Sequence, residues 1–323
     1  MGPSTLLVAA ATVTLANDVT LIGSDIISTN GFDLTLNGTV SGLGILTKVS
    51  AGTLTLNGVN SYGSTNLVAG TINAGNSSAL GAGQFVMQAG TTLQAGGSFT
   101  LANNVLLAGA GTVDTNGNAL GLSGLINGAG GLTKIGSGTL TLSNANTYAG
   151  VTNLNAGTIN VGNAAALSSN ALNMATGTTL QAGGSFTVAN AITLTGSTTV
   201  DTQANNLVLS GVVSGAGATD LNKIGSGALR LNGANSYAGV TNLNAGTITV
   251  GNNTALSTGA LNMAAATTLQ AGGNFTLANA IALAGNSTID SQGNNFVLNG
   301  VISGAGSVDK IGSGRLTLGG ANG

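Results

Sequence analysis

The chain holds eight acidic residues, all Asp, and six basic ones, with no His, no Cys and no Glu. Three of the carboxylates fall at one position of a recurring pattern. Asp114, Asp201 and Asp290 are each followed about one coil later by a lysine, Lys134, Lys223 and Lys310. A carboxylate and an ammonium recurring together could serve as an acid–base pair. If the backbone returns to the same place every 20 residues or so, they could instead form an ion pair between successive coils. Such a pair contributes about 0–1 kcal/mol at a surface and more when partly buried. The structural reading is the expectation. A catalytic site would seldom be copied three times and lost once, and the corresponding place before Lys48 holds Ser28.

The remaining chemistry-bearing residues are sparse. Glycoside hydrolysis needs two carboxylates across the scissile bond, and a polysaccharide lyase usually needs a strong base and clustered carboxylates for Ca²⁺. The nearest acidic pairs, Asp18/Asp25 and Asp25/Asp33, lie in the most irregular part of the chain, and no Trp offers a sugar platform. A carbohydrate-active protein is therefore the weakest reading. Nucleophilic triads lack their His, and zinc lacks both His and Cys. Gly-rich stretches such as 128–131 are not followed by Lys-Ser/Thr, so a phosphate loop is not expected. Neither a cofactor nor a metal is expected. With a net charge of −2 and no basic patch, nucleic acid has no electrostatic foothold. Tyr62, Tyr148 and Tyr237 recur and could form a spaced ligand platform, but packing beside a loop is the simpler expectation. Phe99, Phe186 and Phe275, and Met87, Met174 and Met263, read as core filling. Thr-x-Thr strings such as Thr139/Thr141 raise ice binding, which needs that string on every coil; the sequence shows it about once per unit.

The elements that must position these residues are short strands. Charged residues make up 4% of the chain and Gly accounts for 55 of 323 residues, far from ordinary globular usage. The apolar residues, 42% of the chain, are mostly small aliphatics alternating with Thr, Ser and Asn. Alternation bounded by Gly or Asn predicts strands, and no stretch has helical periodicity. Long-range repetition is explicit. TTLQAGGSFTLANN at 91–104 returns at 178–191 and 267–280, and in decayed form at 5–18. The lysines repeat at intervals of 86, 89 and 87 residues. The units are thus 5–90, 91–177, 178–266 and a partial 267–323. Within a unit, Leu54, Ile72, Leu93 and Val113, and likewise Leu140, Ile159, Leu180 and Val200, mark a shorter period near 20. Three short strands per coil of about 20 residues is the geometry of a β-helix. One all-β helix over residues 1–323, a rod of roughly 70 Å at about 4.8 Å per coil, is the expectation. Residues 1–4 precede the pattern and read as an appended remnant. The lack of capping sequence predicts an excerpt of a longer array, and the lack of Cys suits passage through an oxidising periplasm.

The segment GAGGLTKIGSGTLTLSNANTYAGVTNLNAGTINV at 128–161 carries a resemblance. It recurs at 215–250 and, with substitutions, at 42–74, and its first part at 304–322. It resembles the passenger-associated β-strand repeat of autotransporters. The resemblance implies a right-handed, single-stranded parallel β-helix. It implies export through a C-terminal outer-membrane barrel outside this segment, and an extracellular or cell-surface location. The function implied is an adhesive or structural stalk without catalysis. Its partner would be a host or neighbouring-cell surface or a glycan. The alternative is a self-associating fibre or sheath subunit.

Overall fold

A computed structural model describes residues 5–322; the proposed remnant at 1–4 lies outside them. The chain is all-β and divides into two compact units, one running to Ile159 with Ala165–Asn170, the other comprising Asn160–Ala164 and the chain from Ala171.

In the first unit each strand lies parallel to the one about 20 residues further on. One stack runs Leu6–Val8, Ser24–Ser28, Ile45–Val49, Ser64–Leu67, Phe85–Met87, Val105–Leu107, Ile126–Asn127. A second runs from Val13–Leu15 through Thr53–Leu56, Thr71–Ala74, Thr92–Ala95, Gly111–Asp114 and Leu132–Ile135 to Thr152–Leu154. The third side holds the pair Val19–Leu21 and Val40–Gly42, then Phe99–Leu101, Ala119–Leu122 and Thr139–Leu142. The chain visits the three sides in turn, which makes this a β-solenoid.

The second unit is built alike. Its first stack runs from Leu172–Met174 to Ser236–Tyr237, its second from Thr179–Ala182 to Ile302–Gly304, and its third from Phe186–Val188 to Val308–Ile311. A short further stack joins Phe275–Leu277, Phe296–Leu298 and Leu316–Leu318.

Side-chain alternation decides what lies inside. In Thr53–Leu56, Thr71–Ala74 and Thr92–Ala95 the second and fourth residues are buried and the others are half-buried. Register then files Leu54, Ile72, Leu93 and Val113 into one inward column. The corresponding Leu140, Ile159, Leu180 and Val200 are buried as well. β-branched and Leu side chains suit this because each packs on its like above and below.

Phe99, Phe186 and Phe275 depart from the core-filling expectation. They are half-buried, and the rings of Phe186 and Phe275 fold over their neighbours Gly184 and Gly273, where an added Cβ would meet ring carbons within 2.7–2.8 Å. The fully buried rings are Phe85 and Phe296, together with the three tyrosines. Met87, Met174 and Met263 are buried as expected.

Replacing Leu93 by Ala would open a cavity in a fully covered column. The expected cost is about 2–5 kcal/mol, read as a lowered urea midpoint with an unchanged slope.

Candidate functional site

The lysine of each repeat points inward, a position the alternation reserves for aliphatic groups. In Leu132–Ile135 the buried residues are Leu132 and Lys134. Lys48, Lys134 and Lys223 are each 0% exposed. Burying an ammonium is costly unless its donors are matched, and here all three are. Lys134 Nζ donates to the carbonyls of Ile135 (2.8 Å), Gly136 (2.7 Å) and Ala156 (3.0 Å). Lys223 does so to Ile224, Gly225 and Ala245 at 2.9, 2.7 and 2.9 Å, and Lys48 to Val49, Ser50 and Ala69 at 3.1, 2.7 and 3.0 Å. Two oxygens come from the turn that follows the strand, the third from the next coil. The turn passes through the left-handed region at Ser50 (φ 67°), Gly136 (φ 77°) and Gly225 (φ 80°), which aims successive carbonyls at one point.

Lys310, near the last described coil, donates to Gly312 O (2.8 Å), Ser291 Oγ (3.1 Å) and Ile311 O (3.4 Å).

The recurring aspartates sit one coil earlier and one residue further along. Val113, Val200 and Ile289 are the register partners of Lys134, Lys223 and Lys310, so Asp114, Asp201 and Asp290 face Ile135, Ile224 and Ile311. Each carboxylate closes its own turn. Asp114 Oδ1 accepts the N–H of Asn116 at 2.8 Å, and Asp201 and Asp290 accept those of Gln203 and Gln292 at the same distance. The capped residues all have positive φ, 48–52°, and a side-chain acceptor two residues back is what makes that conformation tolerable outside Gly. The other oxygen ends a polar ladder on the outer face. Asn73 donates to Gln94 and Gln94 to Asp114; Asn160 to Gln181 and Gln181 to Asp201; Thr249 to Gln270 and Gln270 to Asp290. Gln203 and Gln292 add their side-chain amides to Asp201 and Asp290.

Carboxylate and ammonium therefore occupy neighbouring turns and direct their hydrogen bonds to different partners. At Gly136 the approach is so close that a Cβ would lie 2.4 Å from Asp114 Oδ1. The charges still act on one another. Burial pulls each of Lys48, Lys134 and Lys223 down to about 8, and a carboxylate opposes this: Asp33, Asp114 and Asp201 respectively. Burial raises Asp201 and Asp290, but their hydrogen bonds and the charges of Lys223 and Lys310 outweigh it, leaving both below the ordinary Asp value. Lys48, whose expected partner position holds Ser28, has Asp33 instead.

The early aspartates serve the backbone. Asp25 is fully buried and accepts from Thr5 N (2.9 Å) and Thr5 Oγ1 (2.6 Å). Asp18 accepts from Thr39 N (2.7 Å) and Asp33 from Thr53 N (2.8 Å). Among the described residues, no group of three His, Cys, Asp or Glu is placed to hold a metal.

The sequence pattern did not single out one further recurring residue. Asn60, Asn146 and Asn235 are buried two positions before the tyrosines; no strand forms at Asn60 or Asn146, and only the two-residue strand Ser236–Tyr237 follows Asn235. Each spans three coils: Asn60 accepts from Val40 N (2.7 Å) and donates to Ala79 O (2.8 Å); Asn146 accepts from Ile126 N and donates to Ala166 O; Asn235 accepts from Val213 N and donates to Ala255 O. The amide thus replaces the missing ladder bonds. The tyrosine beside it is fully buried, not a surface platform. The hydroxyls of Tyr62, Tyr148 and Tyr237 lie 2.7, 2.5 and 2.5 Å from Thr65, Thr152 and Thr241, and burial pushes all three upward, Tyr148 and Tyr237 to about 12. The signal was present in the sequence as Asn-Ser/Thr-Tyr.

Residues 46–74, 132–161, 221–250 and 308–323 match the family model of the passenger-associated-transport-repeat, together about a third of the chain. Every match opens two residues before one of the repeat lysines, Lys48, Lys134, Lys223 and Lys310. The fold and this fourfold match define a β-solenoid repeat protein. Four segments of the chain carry the passenger-associated-transport-repeat. No curated protein and no solved structure matches it significantly.

Lys134→Met would leave three buried carbonyls without their donor. The expected loss is on the order of 3 kcal/mol, measured by urea denaturation. A pH dependence also follows. In the unfolded chain these lysines titrate at 10.5. Between about 8 and that value the unfolded state binds more protons than the folded one, so stability rises with pH. The tyrosines, at 10.0 unfolded and higher when folded, reverse this above pH 10. The urea midpoint should climb from pH 8 to a maximum near 10, then fall.

Proposed function

We propose that this chain is a structural stalk of an autotransporter-type surface protein, a spacer that presents binding groups outside the cell and performs no chemistry of its own. The observation that carries the reading is the use made of its few charges. The turn carbonyls hold Lys48, Lys134 and Lys223 alike, and Asp114, Asp201 and Asp290 each close their own turn. A repeat that keeps its turn chemistry in this way is suited to length and stiffness. The four matches to the passenger-associated-transport-repeat support an extracellular or cell-surface location, with attachment through a barrel outside this segment. The outward Thr, Asn and Gln ladders suit weak neutral contacts with a cell surface or glycan, which add along a repeat protein by multivalency.

The test displays the parent protein on intact Gram-negative cells and measures the purified segment beside it. An antibody against residues 91–177 should label unbroken cells, and the segment should sediment as a monomer at high concentration. Labelling confined to lysed cells would overturn the surface location. Concentration-dependent filaments would replace the stalk with a fibre subunit.

A further inference from the structure

We infer that the sequence repeat and the coil are out of phase by one side. Each unit of 86–89 residues makes four coils and one further strand, so identical side chains in successive repeats face successive sides of the solenoid. The inference goes beyond the stalk reading and does not depend on it.

Each compact unit shows this separately. In the first, Lys48 lies in the Leu6–Val8 to Ile126–Asn127 stack, whereas Lys134 lies in the next stack in chain order. The strand after each lysine moves likewise. Thr53–Leu56 belongs to the second stack, and its repeat equivalent Thr139–Leu142 to the third. The asparagine that interrupts a ladder advances too. Asn60 caps Val40 on the third side, and Asn146 caps Ile126 on the first. In the second unit, Lys223 lies in the Thr179–Ala182 stack and Lys310 in the one after it. Asn235 caps Val213 of one stack, and Asn322 caps Ile302 of the next. Five pairs of equivalent features, in two separate compact bodies, all advance by one.

The arithmetic comes from strand count. Three strands make a coil, and a remainder of one strand per repeat carries every feature one side onward. The outward columns show the result. Thr53, Thr71, Thr92, Thr112 and Thr133 stand in register on one side for the length of one repeat. At Lys134 the pattern restarts on the neighbouring side with Thr139, whose register partner is Ala119. A longer array therefore shows its repeated surface to every direction, and adding or removing one repeat re-aims the downstream coils by one side.

The absence of native Cys permits a direct test in the full chain. Spin labels at Thr53→Cys and Thr133→Cys, four strand spacings apart on one side, should lie about 19 Å apart before label length is added. Labels at Thr53→Cys and Thr139→Cys, the repeat equivalents, should give a clearly longer distance. Equal distances for the two pairs would overturn the inference. A second readout guards against label-induced disorder. Thr112→Cys/Thr133→Cys and Ala119→Cys/Thr139→Cys are register partners on different sides, and both should oxidise to disulfides. Formation of the first without the second would also overturn it.

Discussion

Parallel pairing of each strand with the one about 20 residues onward is the constraint on which everything else depends. It fixes the register, and the register decides which side chains share a column. Inward columns take Leu, Ile and Val, and outward columns take Thr, Asn and Gln. It also makes each coil the template of the next, so stability is close to a sum over neighbouring contacts. Where the strand pairing lapses, the chain must supply the missing bonds another way. The buried Asn60, Asn146 and Asn235 do so with one amide across three coils.

A second constraint acts at the turns. A coil must change direction three times with hardly any proline and few charges. Left-handed residues achieve this, and their exposed carbonyls and N–H groups then need partners. The lysine answers for the carbonyls and the aspartate for the N–H. The two residues are thus complementary parts of one problem, closing successive turns, and their mutual attraction comes in addition.

Much of this was legible in the sequence. The 20-residue spacing of Leu54, Ile72, Leu93 and Val113 located an inward column, and the longer period located the repeats. The lysine–aspartate recurrence was legible as positions, but not what each side chain would bond. The cage was not legible, because its oxygens belong to the backbone and leave no trace in residue types. The role of Phe99 was misread for a related reason. Alternation alone places it inside, but the Gly-Gly before each of these rings opens room for it outside. Asn60 escaped notice because Asn is so common here that one buried copy does not stand out.

The buried lysines have a consequence for how the folded chain meets its surroundings. Trypsin-like proteases cut only after Lys or Arg and must thread an extended strand through their cleft. This chain offers six such residues in 323, and three of them are wholly covered, with the side chain tied to two neighbouring coils. Cleavage there would require several strands to peel away together. The same caging that makes a buried ammonium tolerable thus removes half of the chain's tryptic targets from reach, a useful property wherever secreted proteases are met.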